Sequence, residues 1–443
     1  MSKDTLREEV RQALQQEAET LVQAAMELAA KLKAAGSPKE AEQAFRAQLM
    51  AVGGRMLARV LERSDSDLCQ TVRQRGHSKR DGTLCQGKLK SKGRKGITIR
   101  TLLGVVRLKR WTGACQECRR IVGTADEVLE VSGGLSAACA SAVALTGVTM
   151  SFEQAGKALE ELVGVEVDDN RVQRTVAAVA PRAEAFTHKI LSQSSTIPLP
   201  PKGTRIYIMI DGGRIRMREE GRPWREPVTA LVLWENPDGS LTKHGISHPA
   251  DKDHVLSVLD AWMKRLEPGT DWEVLVVADG AEWIWAWADQ YPWVIGILDY
   301  YHVKEHVWEA ANELQGEGSP QAAAWVKQIM DRLWRGWVPS TVQKLDEMRP
   351  RGRDAPAKRD ALNALATYLE NHDGLIKFGE DRNAGRTIGS GAIESFCKQL
   401  FSMRMKGPGM FWGPQGARNV MDLRTHYLTG HWEELWRPLR QSA

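Results

Sequence analysis

The sequence has little that would be expected to carry the chain into or across a membrane. Its first residues, MSKDTLREEV, are charged from the third position and have no apolar leader segment, so cytoplasmic residence is the expectation. The longest uncharged run, VSGGLSAACASAVALTGVTM, has the length of a span. It is diluted by Gly, Ser and Thr and short of Leu and Ile, so a soluble segment is expected there. Cysteine is scarce as well: six in 443 residues, at 69, 85, 115, 118, 139 and 397. That spread, with no leader expected, argues for reduced thiols or a metal site rather than a disulfide framework. What remains is an ordinary globular balance, 42% apolar and 26% charged, with length for two or three domains.

Acidic residues are nearly absent between Gln70 and Arg120, where fifteen Lys and Arg face two acids although the whole chain carries only +5. Such a block repels itself unless something neutralises it, and a phosphate backbone is the expected partner. Arg94, Lys95, Lys109 and Arg110 are its candidate DNA contacts.

Ahead of this block, residues 1–65 carry apolar positions at helical spacing on both sides of a Gly-Ser-Pro break, which predicts a helical hairpin. Within it, Ile97, Ile99 and Thr101 alternate, as do Val106 and Leu108, which predicts two short strands turning at Gly104. Cys115 and Cys118 follow as one C-x2-C, half of a zinc ribbon. The usual second pair is missing upstream, where only Cys69, His77 and Cys85 stand at irregular spacings. A metal-free ribbon over 66–130 is therefore the favoured reading, with zinc on Cys115 and Cys118 the alternative. Residues 131–196 form the next module. Its SFEQAGKALEELVGVEVDDNRVQRTVAAVA reads as helix, glycine-centred turn and helix. That is helix-turn-helix spacing, with Asn170, Arg171, Gln173 and Arg174 placed to reach DNA; a plain helical hairpin is the alternative. The Pro-rich IPLPPKG then predicts a boundary near residue 200.

Beyond it, strands alternate with helices. RIYIMIDGG reads as an apolar strand ending in Asp211, with RIRMREE and EPVTALVLWE as its antiparallel neighbours. WEVLVVADG and WVIGILDYYH read as buried strands ending in Asp279 and Asp299. A carboxylate at the end of an apolar strand is costly unless it is paired or binds a cation. Several converging at one sheet edge suit Mg²⁺ or Mn²⁺, and two such ions can drive phosphodiester displacement. Asp211 and Asp279 are each followed by Gly, which permits close backbone approach. Near the carboxyl end, Gly389, Ser390 and Gly391 precede a helix carrying Glu394, with Lys398, Arg404 and Lys406 after it.

IDGG, ADGAEWIW, LDYYH and the spaced pattern GSGAIES, RMK, GM, W and GA resemble the motifs of DDE-type transposases of bacterial insertion sequences. The Kra-type group, related to Mutator-like transposases, is the nearer match, over roughly residues 95 to 430. The resemblance implies an α/β catalytic core of RNase H-like fold, a mixed sheet flanked by helices, at 203–303 and 386–443. A helical insertion would occupy 304–385, and a helical, ribbon-like and helix-turn-helix DNA-binding region would precede the core. It implies Asp211, Asp279 and Glu394 as catalytic residues holding two Mg²⁺ or Mn²⁺ ions, with Asp299 and His302 supporting them as a D-x2-H element. Asp299 is the fallback second metal ligand. It further implies that the chain binds double-stranded DNA, both terminal inverted repeats and target, as a homodimer or larger homo-oligomer in the bacterial nucleoid. Relatives usually open the ribbon with Cys-Pro-x-Cys-Gly, a pair missing here, which weighs against zinc.

Fifteen of the sixteen Trp residues lie after residue 220. Trp412, amid glycines, prolines and cations, is a candidate for stacking on an unpaired base. Two other readings share some of these residues. A non-catalytic DNA-binding regulator of transposase descent would keep the amino-terminal features alone. His302 to His306 also match H-x-x-E-H, a zinc protease signature, but no third ligand is evident and the basic block would go unexplained.

Overall fold

The structure is a computed structural model that describes residues 3–33, 37–79, 84–191, 198–219, 221, 223–267, 271–350 and 356–436. The chain divides into two compact units, Met1–Val179 and Ala180–Ala443.

The first unit opens with α1 (Lys3–Lys33) and α2 (Pro38–Arg63). Ser37 caps α2 by accepting from the Glu40 amide, and Pro38 sits at the first turn, where its missing N–H is no loss. The buried Glu17 of α1 is held by Arg55 at 2.7 Å and Arg59 at 3.2 Å, which fixes the hairpin. After α3 (Asp65–Arg75), the short strands β1 (His77–Ser78) and β2 (Leu84–Cys85) pair antiparallel. A three-stranded antiparallel sheet follows, formed by β3 (Leu89–Thr101), β4 (Gly104–Cys115) and β5 (Ile121–Gly123). Gly104 makes the β3–β4 turn at φ 87°, a conformation that L side chains avoid.

The β3–β4 ribbon is much longer than the alternation at 97–108 predicts, because its outer length is polar on both faces and held by cross-strand pairing. Its inner half packs Ile99, Val106 and Leu108 on Ala58 and Leu61 of α2, so hairpin and ribbon share one core. Then come α4 (Thr124–Val128), α5 (Ala137–Thr149), α6 (Phe152–Val163) and α7 (Asp169–Leu191), the last crossing the division between units. The long uncharged run is α5 with its flanks, and no helix among the described residues is long and apolar enough to cross a membrane. Gly164 ends α6 in the left-handed region, and the Asp168 side chain accepts from the Arg171 amide at the start of α7. The Pro-rich joint lies partly outside the described residues.

The second unit is built on a five-stranded sheet. Its elements in chain order are β6 (Arg205–Gly212), a small β7–β8 pair (Ile215–Arg216 and Trp224–Arg225), β9 (Val228–Glu235) and β10 (Leu241–His248). Next come α8 (Lys252–Leu266), β11 (Glu273–Ala278), α9 (Glu282–Ala288) and β12 (Ile295–Leu298). The strand order is β10-β9-β6-β11-β12. β9 runs antiparallel to both of its neighbours, β10 and β6, and β6, β11 and β12 run parallel.

EPVTALVLWE is the antiparallel neighbour of β6, as its pattern predicts. RIRMREE is not: Ile215 and Arg216 pair with β8 outside the main sheet, and Met217 bridges Trp412. The edge strand β10 has no signature in sequence because LTKHGISH is polar.

Helices α10 (Tyr300–Gln315), α11 (Pro320–Trp334), α12 (Val338–Glu347), α13 (Pro356–Asn371) and α14 (Phe378–Asn383) follow the sheet. Then α15 (Gly391–Cys397) runs through a π-helical turn at Lys398–Ser402 into α16 (Met403–Met405), and α17 (Pro414–Leu428) and α18 (Trp432–Trp436) close the described chain. The α/β architecture, a mixed sheet flanked by helices, agrees with the fold class expected from sequence at that level.

Candidate active site

Register brings the carboxylates together. Ile210 pairs with Ala278, and Ala278 with Leu298, across three parallel strands. The next residue on each strand is therefore Asp211, Asp279 or Asp299, and all three step off the same edge of the sheet. Parallel strands lie about 4.8 Å apart, so neighbouring carboxylates sense each other. Burial, and the negative charge of Asp279, hold the half-buried Asp211 above the usual carboxylate range, against the pull of the Gly212 amide and the His302 charge.

Asp279 accepts from the Ala281 amide at 3.0 Å. Beside it, a Cβ on Gly280 would stand 2.6 Å from the Tyr368 ring, so glycine is what lets α13 approach this loop. His372, the residue after the same helix, reaches the Gly280 carbonyl at 3.2 Å.

Asp299 is fully buried and does three things at once. Its Oδ1 caps α10 by accepting from the Tyr301 and His302 amides at 2.6 and 2.8 Å. Its Oδ2 accepts from the Ser390 amide, which pins the Gly-Ser-Gly turn ahead of α15. It also lies 3.3 Å from Nδ1 of His302, an ion pair without good hydrogen-bond alignment. Burial alone would raise the Asp299 carboxyl, but the hydrogen bonds from His302 and Ser390 outweigh it and bring it down to about 2. Asp299 raises His302 in turn to about 9 against the opposing effect of burial, with smaller contributions from Asp279 and Glu305. His302 is thus an imidazolium at neutral pH, set among acids.

Glu394 lies exposed on the first turn of α15, with the Ser390 hydroxyl donating to it at 2.7 Å. The same helix reaches Asp211 through Cys397, whose thiol burial pushes far up, so that it stays protonated and donates to the carboxylate. Among the described residues, the acidic group whose ligand atoms all lie within 4.8 Å of one another is Asp299, His302 and Glu394. Asp211 and Asp279 stand on the adjacent strands. Together the carboxylates of this edge offer oxygen donors, and Asp279 raises Asp211 by its like charge, which is the chemistry that suits a hard divalent cation.

Several residues expected to touch DNA are committed elsewhere. Trp412 is buried, with Nε1 donating to the Met405 carbonyl at 3.0 Å and the Arg404 guanidinium 5.1 Å from its ring. It is a packing residue and not a free stacking platform. Arg404 is buried with it and presents no charge to a phosphate. Arg110 is buried too, in a two-point contact with Asp126 at 2.9 and 3.0 Å.

Arg94 is exposed but tied to Asp65 at 2.8 Å, and Arg171 donates to the Gly133 carbonyl. Lys95, Lys109, Arg174, Lys398 and Lys406 are exposed. So are Lys90, Lys92, Arg100 and Arg107, cations of the β3–β4 ribbon that sequence reasoning did not single out; strand alternation around the buried Ile99, Val106 and Leu108 marks Arg100 and Arg107. Sequence reasoning also missed Ser390 and Cys397 as partners of the carboxylates, since both contacts are tertiary.

His306 pairs with Glu309 at 3.2 Å and stacks near Tyr368, and among the described residues no third ligand joins it to His302. Cys115 and Cys118 meet His77 and Cys85 in the first unit, with all four ligand atoms within 4.8 Å of one another.

No curated protein matches this chain. The profile of the uncharacterised protein family UPF0236 matches residues 31–437, and the chain therefore belongs to that family, one associated with transposase-like proteins.

Proposed function

We propose that the chain is a DDE-type DNA transposase. In this reading it binds the terminal inverted repeats of an insertion sequence, cleaves a strand, and transfers the freed 3′-hydroxyl to target DNA. The observation that carries the reading is the row of Asp211, Asp279 and Asp299 at one edge of parallel strands, with the Glu394 helix bonded to that edge. The mixed sheet and the helices between Asp299 and Glu394 support an RNase H-like core with its insertion.

Asp211, Asp279 and Glu394 would hold Mg²⁺ or Mn²⁺, which when bound would neutralise charge at the scissile phosphate and acidify the attacking oxygen. The residues themselves prepare that place. Asp211 and Asp279 repel each other until a cation arrives. Asp299 fixes the turn that carries Ser390, and Ser390 orients Glu394. The His302 imidazolium offsets part of the negative charge, and exposed Lys398 and Lys406 offer phosphate contacts beyond the Glu helix. In the first unit, the exposed cations of the β3–β4 ribbon suit a DNA backbone, and β-ribbons are known groove readers. Joining two transposon ends calls for at least a dimer.

The test is nicking of DNA bearing the element's ends in Mg²⁺ or Mn²⁺, with Asp211→Asn beside the wild type. Metal-dependent cutting by the wild type alone is the expected result; equal cutting by both proteins overturns the role of Asp211. One observation favours the non-catalytic regulator: Glu394 groups with Asp299 and His302, and with neither Asp211 nor Asp279. That reading predicts end binding with no metal-dependent nicking at all.

A further inference from the structure

We propose that His77, Cys85, Cys115 and Cys118 form a closed structural zinc site. It lies in the first unit and is independent of the catalytic reading. His77 and Cys85 are cross-strand partners in the β1–β2 pair, so their side chains leave the same face. Cys115 ends β4, and Cys118 follows after a tight turn in which the Cys118 amide points at the Cys115 sulfur at 3.4 Å.

The two halves face each other closely. The Cys85 and Cys115 sulfurs are 3.7 Å apart, and His77 Nε2 is 3.2 Å from the Cys118 sulfur. Thiolates about 2.3 Å from a tetrahedral zinc stand roughly 3.8 Å from one another, which is the spacing found between the two sulfurs. Gly87 leaves room for this: a Cβ there would lie 2.6 Å from the Cys115 sulfur.

Burial adds to the case. His77, Cys85 and Cys115 are 1%, 2% and 4% exposed, so the donors converge on an enclosed point. Four protein ligands leave no open position, which makes the site structural and not catalytic. Soft sulfur with one imidazole selects zinc over Mg²⁺ or Ca²⁺. A strand pair of two residues each cannot hold itself in water, and the metal would staple it to the end of β4, beside the basic ribbon. Cys69, on α3, lies outside the set.

The test is metal analysis of the full-length protein, expressed in zinc-supplemented medium and purified without chelator. One zinc per chain is expected, retained in Cys69→Ser and lost in Cys118→Ser and His77→Ala. Should the ligand variants fail to fold, the wild type stripped of metal and refilled with Co²⁺ serves instead. Expected there are the intense visible absorption of tetrahedral cobalt and the near-ultraviolet charge-transfer bands of bound thiolate. A wild type with no zinc above a chelator-treated blank and only weak octahedral cobalt absorption overturns the site. So does isolation of metal-free protein with Cys85 and Cys115 as a disulfide, or loss of zinc in Cys69→Ser equal to that in Cys118→Ser.

Discussion

Asp299 is the residue on which most of the candidate site depends, because one carboxylate caps a helix, pins a turn and charges a histidine. Asparagine would keep a capping oxygen but turn an N–H group toward the Ser390 amide and remove the ion pair. Asp299→Asn should therefore return His302 from about 9 toward its ordinary value near 6.5, as read by NMR titration of its ring protons. The sign with pH follows from the two groups. His302 has its pKa raised on folding, so its contribution to stability is full below 6.5 and is lost as pH rises through about 9. Asp299 has its pKa lowered, so its contribution is full above 3.8 and is lost as pH falls through about 2. Trp412 makes a contrasting case: glycines and cations around it in sequence suggested a stacking surface, whereas its ring is enclosed and its N–H bonded. Trp412→Ala should cost about 3–5 kcal/mol in denaturant unfolding. The same change at the neighbouring exposed Phe411 should cost under about 1 kcal/mol.

At the scale of elements, β10 shows why part of the sheet escapes sequence reasoning. A polar stretch becomes a buried strand because α17 and α8 cover it, and His244 there is buried without a hydrogen-bond partner for either ring nitrogen. Burial, with the nearby His431 charge, drives His244 down to about 3, and burial does the same to His426 of α17. Both are neutral in the fold but would protonate near 6.5 when unfolded. Their contribution is thus full above 6.5 and fades as pH falls toward about 3. At pH 4 each should cost roughly 3 kcal/mol, a loss that acid titration of the unfolding midpoint would measure and that His244→Phe would lessen. Gly280 gives the second prediction at this scale. Gly280→Ala puts a Cβ against Tyr368 and should destabilise the seam between the Asp279 loop and α13 by about 1–3 kcal/mol in denaturant unfolding and, if the proposed function holds, lower metal-dependent nicking.

For the whole molecule, charge is distributed so that the exposed cations of one unit suit a polyanion while the acids of the other suit a cation. If the ribbon binds duplex DNA, affinity should fall steeply with salt. Neutralising Lys90, Lys92, Arg107 and Lys109 to Gln should lower the slope of log K against log salt by about four, since each phosphate contact contributes about 0.9. The same replacement at Arg110 should behave differently. It would unfold the ribbon locally by breaking the buried pair with Asp126, with a stability loss out of proportion to the charge removed.

Sequence by itself determined the features that depend on local patterning. These are the helical hairpin set by its Ser-Pro break, the ribbon turn at Gly104, the three apolar strands each ending in Asp, and the Gly-Ser-Gly turn before Glu394. Alternation and capping are short-range, and they survive in one dimension. Tertiary structure decided which charged groups are free. Arg110, Arg404 and Trp412 look like DNA contacts until packing encloses them, and whether a cation faces solvent or Asp126 depends on segments far apart in the chain. It also decided ligand sets. His77 and Cys85 join Cys115 and Cys118 only through strand pairing, and Asp299, His302 and Glu394 meet only because a buried carboxylate must satisfy both its oxygens.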